Sequence, residues 1–342
     1  MVSLSRVITL SDHFRLATSD FSYPNWYKEW HHFCVFGPNI QVILNFNLGY
    51  LAASAAEDLQ VARVILLVRQ ENSWIGDIDT IPLRDVHTRR GKIRTRFGHN
   101  IIDFQNDHYL LSVALERLPI TLNLASQPLT YPLVRSKAVL GEGKIDWVVV
   151  PRLVSSGTIA VGQQVYQLEQ APTYHDHNWG HWLWGQDFAW QWGFMLPTQR
   201  DTPWSVIFNS VTDRARNEAR DLKVSLWKHE KFHRLFMYDE IRVEQSGYLE
   251  AASLPKFPSV MSLVSTERTT DIPRRMTITA RRDSDWLTCH FEAKDAAQIV
   301  IPNETDLEVT VINEVSGEMS MNGWINGEKI DVNGKSFFEF LT

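Results

Sequence analysis

The residues best suited to chemistry lie in one short segment, which reads Tyr-His-Asp-His-Asn-Trp-Gly from position 174 to 180. Carboxyl, phenol and imidazole groups can move protons or hold metal ions. If the segment is a β-strand, its side chains alternate between two faces. One face then carries Tyr174, Asp176 and Asn178, and the other carries His175, His177 and Trp179. Each face supports a different kind of site.

The histidine face fits a metal site. His175 and His177, with His181 just beyond them, could offer imidazole nitrogens to zinc or iron. A histidine pair on a barrel strand is also found in cupins, but the acidic ligand and second glycine that a cupin pattern places downstream are not found here. We therefore expect no bound metal. The competing interpretation is that these histidines are satisfied core residues.

The other face fits acid catalysis. Burial among aromatic rings disfavours the charged form of a carboxyl, so Asp176 could hold a proton near neutral pH and deliver it. Tyr174 lies two residues away on the same predicted face. The structural alternative is an Asp–His couple that ties a strand end to a loop.

Tryptophan is unusually abundant, with 13 in 342 residues. Five of them fall within 14 residues, at positions 179, 182, 184, 190 and 192. One interpretation is a sheet core, because aromatic residues favour strands. The other is an aromatic-walled cavity, which would suit a large apolar ligand and could stabilise a cation through the ring faces.

Composition excludes one class of partner and indicates a compartment. Lys and Arg number 34 against 40 Asp and Glu, a net charge of −6 without any long basic run, so we expect no nucleic-acid binding. Cys34 and Cys289 are the only cysteines, which allows one disulfide at most. Residues 1–15 lack the apolar stretch of a signal peptide, and no stretch is long enough to span a bilayer. We expect a cytoplasmic protein that meets apolar compounds by diffusion, transfer or transient contact with a membrane surface.

Hydrophobic patterning predicts an all-β fold. Apolar and polar residues alternate at 41–47, 121–124 and 277–280, and helical periodicity is weak throughout. Turn pairs recur at Gly162 and, near the C-terminus, at 316–317, 322–323, 326–327 and 333–334. We therefore predict a meander of short strands from 307 to 341.

The length suits two domains of about 150–180 residues each. Trp30 and Trp192 each begin a similar succession of strand patterns, which suggests a duplicated β unit, with chance similarity as the alternative. We predict an N-terminal domain at 1–185 and a C-terminal domain at 186–342. Because no flexible linker separates them, we expect the domains to pack closely.

Several motifs resemble the carotenoid 1,2-hydratase (hydroxyneurosporene synthase)/AttH-like family. They are residues 155–162, then Val165-Tyr166, then 174–180, together with the aromatic-rich motifs Pro24-Asn25-Trp26 and Glu29-Trp30-His31-His32-Phe33. The resemblance implies two consecutive lipocalin-like (calycin) antiparallel β-barrel or half-barrel domains, no metal and no organic cofactor.

The resemblance also implies roles for individual residues. Asp176 occupies the position of the proton donor to an isoprenoid double bond, and Tyr174 matches its tyrosine neighbour. Trp147 corresponds to the tryptophan of an upstream His-x-Trp pair, whereas Ile145 stands where that pair has its histidine. The position of Ile145 is thus a departure from the hydratases.

These observations lead us to expect a cofactor-free hydratase or cyclase acting on an isoprenoid or polyene-type apolar substrate. Asp176 would protonate an alkene, and Tyr174 would hydrogen-bond the carboxyl or the attacking water. The predicted substrate-binding residues are Trp30, Trp147, His177, Trp179 and Trp192. The alternatives are a non-enzymatic carrier of an apolar small molecule, a cofactor-free pericyclase of natural-product biosynthesis, and a metalloenzyme.

Overall fold

The computed structural model describes residues 2–15, 27–49, 61–199, 201–250, 254–263 and 272–341. Strands account for 71% of the structure and helices for 6%, which confirms the predicted all-β fold. The family-like motif Pro24-Asn25-Trp26 lies outside the described residues.

The strands form two sheets. The strands of the first sheet are β1 (Tyr27–Phe36), β2 (Ile40–Gly49), β3 (Val61–Gln70), β4 (Ser73–Pro82), β5 (Val86–Thr88), β6 (Arg94–Phe97), β7 (Asn100–Gln105), β8 (His108–Ala114), β9 (Ile120–Pro128), β10 (Leu133–Leu140), β11 (Gly143–Val161) and β12 (Gln164–His181). Those of the second are β13 (Ala189–Pro197), β14 (Trp204–Thr212), β15 (Ala219–Lys228), β16 (Lys231–Met237), β17 (Ile241–Tyr248), β18 (Lys256–Phe257), β19 (Pro273–Arg282), β20 (Asp285–Pro302), β21 (Val309–Ile325) and β22 (Glu328–Leu341). The helices are α1 (Leu4–Ser11) and the short 3-10 segments Leu83–Asp85, Tyr238–Glu240 and Ser259–Leu263.

The two sheets repeat one connectivity. The first follows the order β4-β3-β2-β1-β12-β11-β9-β8-β7-β6-β5, with β10 beside β11. The second follows β16-β15-β14-β13-β22-β21-β20-β19-β17, with β18 beside β20. The pairs β1–β12 and β11–β12 in the first sheet, and β13–β22 and β21–β22 in the second, are antiparallel, and one of the two sheets forms a nearly closed barrel. The repeat is what a duplicated β unit would produce.

Packing divides the chain into two compact units. The first comprises Met1–Ala138 and Glu142–Trp182, and the second comprises Val139–Gly141 and Leu183–Thr342. The boundary predicted between residues 185 and 186 lies close to this division. Each unit has its own apolar core, with Phe33 and Phe46 in the first and Phe291 and Phe338 in the second.

Two of the predicted turns are present. Gly162 has a φ of 60° between β11 and β12, and Asn326 and Gly327 have φ values of 50° and 81° between β21 and β22. Positive φ at both central residues is the conformation for which Asn-Gly is preferred in tight hairpins.

The predicted C-terminal meander is wrong, because β21 and β22 form a single long hairpin of 17 and 14 residues. The glycines at 317, 323 and 334 lie inside these strands, where a Cβ would overlap a carbonyl oxygen of the neighbouring strand. At these positions glycine permits close approach of two backbones rather than a turn.

Helix α1 was not predicted from the sequence. The side chain of Ser3 caps its N-terminus by accepting a hydrogen bond from the Arg6 amide at 3.4 Å. The amide of Asp12 closes the other end by donating to the Ile8 carbonyl at 2.9 Å. The end of the helix therefore places Asp12 in the core, where its side chain is fully buried. A serine followed by apolar residues at 4, 7 and 8 was the available signal.

Both cysteines are buried thiols that do not form a disulfide. Among the described residues, no helix is long and apolar enough to cross a bilayer.

Candidate functional site

Strand β12 presents the two predicted faces. It lies between β1 and β11, so Asp176 is opposite His32 on one side and Val149 on the other. Tyr174 and Asn178 both hydrogen-bond Asp176, whereas His175 and His177 bond to Asp12 on the opposite face. The predicted alternation of side chains is thus present.

The carboxyl of Asp176 is 3% exposed and held at both oxygens. The Tyr174 hydroxyl donates to Oδ2 at 2.9 Å, and the Asn178 side-chain amide donates to Oδ1 at 2.8 Å. An amide N–H can only donate, whereas a phenol hydroxyl can also accept. A proton on this carboxyl therefore belongs on Oδ2, next to Tyr174. The surroundings are more polar than the ring of indoles that the sequence suggested.

Two predicted substrate-binding residues share the face of Asp176. Trp30 on β1 and Trp147 on β11 are both directly opposite Asn178, which makes them diagonal neighbours of Asp176. Aromatic side chains reach across such diagonals. Both rings are only partly buried, so they can meet a ligand.

His32, directly opposite Asp176, is a neutral partner. Burial lowers the pKa of His32 to about 4. Its ring nitrogens lie 2.8 Å from Asn45 Oδ1 and 2.9 Å from Cys34 Sγ. A neutral imidazole places no opposite charge beside the facing carboxyl of Asp176.

The other three predicted substrate-binding residues lie on the opposite face of β12 or in the second unit. His177 and Trp179 point to the opposite face of β12, with ring centroids 4.8 Å apart. Trp192 belongs to β13 in the second unit, where its register partner is Glu339. Within the first unit, His177 and Trp179 therefore do not share the face of Asp176.

The histidine face forms a buried cluster around Asp12. His175 Nε2 lies 2.9 Å from Asp12 Oδ2, and His177 Nδ1 lies 3.1 Å from Oδ1. The Tyr109 hydroxyl donates to Oδ2 at 2.5 Å. Burial alone would raise the pKa of Asp12, but His175, His31 and the hydrogen bonds from His175 and His177 hold it well below its usual range.

Glu29 extends this cluster along β1. Its Oε1 lies 2.7 Å from His177 Nε2 and accepts the Arg15 amide at 2.6 Å, and its Oε2 accepts the Tyr27 hydroxyl at 2.8 Å. Burial would lower the pKa of His177, but its bonds to Asp12 and Glu29 outweigh burial and raise it. His177 thus bridges two carboxylates, which favour its protonated form.

His31 stands out within the cluster. Its ring stacks on His177, with centroids 3.9 Å apart, and is fully buried. Among the described residues, neither ring nitrogen has a hydrogen-bond partner. Burial, followed by the charge of His177, lowers the pKa of His31 well below its usual range, so the ring is neutral.

The alternative metal set of His175, His177 and His181 is not assembled. His181 lies four residues beyond His177 on the same strand, about 13 Å away at the usual rise per residue. Instead, one donor atom each from Asp12, His31 and His175 lie within 4.8 Å of one another. Sequence reasoning missed Asp12 because it is 163 positions from His175. Glu29 and His31 lie two residues apart on β1, so a strand places them on one face. This spacing was the available signal for the other residues of the cluster.

The second unit contains a carboxyl pair, with one member fully buried and the other partly buried, that was not predicted from the sequence. Glu339 on β22 is directly opposite Glu314 on β21, and Glu314 is fully buried. Burial raises the pKa of Glu339 to about 7, against the opposing effect of a hydrogen bond from the Trp190 indole. A lone glutamate in the apolar run Phe-Phe-Glu-Phe-Leu at 337–341 was the available signal.

Two surface cavities lie away from these residues. One of about 620 Å³ in the second unit is lined by strand residues that include Met276, His290 and Met319. One of about 560 Å³ in the first unit is lined by residues that include Arg94, Arg96 and Ile101. Neither cavity contains a predicted site residue.

The fold is shared with several solved structures. An AttH-like protein from Nitrosomonas europaea has a TM-score of 0.67 at 12% identity, over 94% of this chain and 93% of that one. Kievitone hydratase from Nectria haematococca has a TM-score of 0.57 at 11% identity, over 92% and 88%. CghA, solved with Sch210972, has a TM-score of 0.64 at 9% identity, over 93% and 88%.

No protein-family model and no curated protein sequence matches the chain. At identities of 9–12% the structural likeness establishes the fold alone. The predicted fold class is confirmed: the chain has the lipocalin-like, antiparallel all-β fold of these proteins.

Proposed function

We propose that this protein is a cofactor-free hydratase or cyclase that protonates a carbon–carbon double bond of an apolar, polyene-type substrate. Asp176 is the acid. The observation that carries the proposal is its buried carboxyl, bonded to Tyr174 and Asn178 on the strand face that also presents Trp30 and Trp147.

The first step is proton transfer. The electron pair of the alkene forms a C–H bond with the proton on Asp176 Oδ2, and the neighbouring carbon becomes a cation. The carboxylate left behind keeps two hydrogen bonds, from Tyr174 at 2.9 Å and Asn178 at 2.8 Å, which stabilise its new charge.

The second step removes the cation. In hydration, water adds to the cation and returns one proton to Asp176, so the net reaction adds one water molecule. In cyclisation, a second double bond of the substrate attacks the cation, and loss of a proton to Asp176 ends the reaction. Electrons balance in both cases without an oxidant or reductant.

The rings of Trp30 and Trp147 stabilise the intermediate. A cation over an indole face gains about 2 kcal/mol when the site is shielded from water. Such a gain in the transition state corresponds to more than tenfold in rate for each well-placed ring.

The structural neighbours support enzymatic chemistry on this fold. One structural neighbour is by name a hydratase, and another was solved with Sch210972. Because one fold hosts many functions, the chemistry has to be assigned from the residues. The competing function is a carrier that binds an apolar molecule on the same face without converting it.

The test is conversion of a panel of isoprenoid and polyene compounds in D₂O, guided by the mass of any apolar compound that co-purifies. Protonation of an alkene places deuterium on a carbon of the product. We expect this label with the natural sequence and its loss, with binding retained, in Asp176→Asn. Asp79→Asn is the matched control, because Asp79 is also buried and accepts one hydrogen bond, from the Glu116 amide at 3.0 Å.

Each alternative predicts a different result. Product without carbon-bound deuterium would show a pericyclic reaction, and tight binding without conversion would show a carrier. Asp176→Asn with full turnover would remove Asp176 from the mechanism.

A further inference from the structure

Three buried metal-binding groups meet inside the first unit. Asp12 follows α1, His31 lies on β1 and His175 lies on β12. All three side chains are fully buried, and one donor atom from each lies within 4.8 Å of the others. The elements that carry them are far apart in the chain, so the fold itself creates this meeting point.

The first observation that indicates a ligand concerns His31. A buried polar atom left without a hydrogen bond is destabilising. Within the described parts of the chain, both nitrogens of His31 lack a hydrogen-bond partner, yet Nδ1 lies 3.9 Å from Asp12 Oδ1. That distance is too long for a hydrogen bond but leaves room for an ion that binds both atoms.

His175 is the second observation. Its Nδ1 lies 2.9 Å from the His32 carbonyl, which can only accept, so Nδ1 carries a proton. Its Nε2 then faces Asp12 Oδ2 at 2.9 Å. A nitrogen lone pair and a carboxylate oxygen repel unless a positive species lies between them. A proton or a metal ion meets this requirement.

The groups around these residues resemble the outer hydrogen bonds of metal sites. Histidine ligands usually donate their second N–H to a carbonyl or carboxylate, and carboxylate ligands are themselves hydrogen-bonded. Here His175 donates to the His32 carbonyl, and Asp12 accepts from the Tyr109 hydroxyl at 2.5 Å. Both interactions fix the orientation of the donor atoms.

We propose that Asp12, His31 and His175 bind one divalent transition-metal ion, with zinc the preferred ion. Two imidazoles and a carboxylate form a common donor set for zinc. If both oxygens of Asp12 bind, they and the two imidazole nitrogens supply four donor atoms. Donors around a tetrahedral ion at bond lengths of about 2.0–2.1 Å are about 3.3 Å apart. The distances of 2.9 Å and 3.9 Å from the Asp12 oxygens to the two rings bracket that value.

The ion has a structural role. Its three ligands are fully buried, which favours a structural over a catalytic role. It ties α1, β1 and β12 together behind the strand face that carries Asp176. The sequence predicted a metal-free protein because no acidic ligand follows the histidines. In the proposed site the acidic ligand lies upstream of them, at Asp12.

Metal binding is tested on the full untagged chain. The protein is stripped with a chelator, dialysed and titrated with zinc or cobalt(II), and bound metal is measured by elemental analysis. We expect one ion per chain, a melting temperature several degrees higher with zinc, and cobalt absorption bands of a four- or five-coordinate site. Absence of stoichiometric metal together with an unchanged melting temperature overturns the proposal.

Two variants locate the ion. His31→Phe keeps a ring in the stack but removes both nitrogens, and we expect at least a hundredfold loss of zinc affinity. His181→Ala removes the histidine that lies further along β12, and affinity should not change. Equal loss in both variants, or full affinity in His31→Phe, overturns the assignment. If His31→Phe does not fold, the cobalt spectrum of the natural sequence still decides, since a spectrum of hexa-aquo cobalt alone overturns it.

Discussion

The hydroxyl of Tyr174 lies 2.9 Å from Oδ2 of Asp176, two residues further along the same face of β12. Asn178 occupies the other oxygen. In the proposed mechanism the phenol therefore contacts the carboxyl oxygen that carries the proton, and it can accept that proton's hydrogen bond before transfer and donate to the carboxylate afterwards.

Tyr174→Phe should consequently slow turnover without abolishing it. Loss of one donor to a developing charge costs roughly 10–1000-fold in kcat. Tyr166→Phe is the control, because its hydroxyl also makes one side-chain hydrogen bond, to Gln70 at 2.9 Å. Steady-state kinetics measure kcat of both variants on the substrate that takes up deuterium in D₂O. Equal kcat in the two would show that the Tyr174 hydroxyl has no catalytic part.

The two faces of β12 predict opposite effects for two tryptophans. Trp147→Leu removes an indole from the face of Asp176, and we expect kcat to fall more than tenfold with little change in stability. Trp179→Leu removes a ring that packs on His177. The centroid of this ring lies 4.7 Å from the guanidinium carbon of Arg15. We expect that variant to melt at a lower temperature with the activity of its folded fraction retained. The reverse outcome would place the substrate on the histidine face.

The pattern of the sequence was sufficient for the fold class and for the two faces of β12. Strand periodicity and the hairpin turn at Asn326-Gly327 are local properties, and the structure contains both. The alternation of Tyr174 and His175 follows from strand geometry alone.

The parts that were not predicted depend on tertiary contacts. Asp12 meets His175 across 163 positions, and Glu314 meets Glu339 only through the register of β21 and β22. The misassigned turn at Asn322-Gly323 has the same cause. The local preference of Asn-Gly for a turn is overridden because β20 and β21 pair through this point.

Gly323 provides a stability test of that pairing. A Cβ at this position would overlap the carbonyl oxygen of Trp286 on β20. Gly323→Ala should therefore destabilise the protein by about 1–3 kcal/mol, as overpacking does elsewhere. Gly49→Ala is the matched control, since a Cβ there meets no atom of the described residues within 4 Å, and it should be neutral or slightly stabilising. Urea unfolding measures both, and equal stability of the two variants would contradict the close approach of β20 and β21.

Glu339 makes stability depend on pH. Burial raises its pKa in the folded protein from 4.5 to about 7. Below pH 4.5 the group is protonated in both states, but between pH 4.5 and 7 the folded state keeps a proton that the unfolded state releases. The stability that this proton confers, up to about 3 kcal/mol, is therefore lost as the pH rises through 7.

Glu339→Gln should remove this dependence. The amide keeps the size of the side chain, and its oxygen can still accept the hydrogen bond from Trp190. We expect the variant to match the natural sequence near pH 5 and to be more stable than it at pH 8, as measured by urea unfolding across that range. Glu230→Gln, at an exposed position, is the control and should follow the natural sequence at every pH. A Glu339→Gln profile parallel to that of the natural sequence would show that Glu339 does not hold a proton in the folded protein at neutral pH.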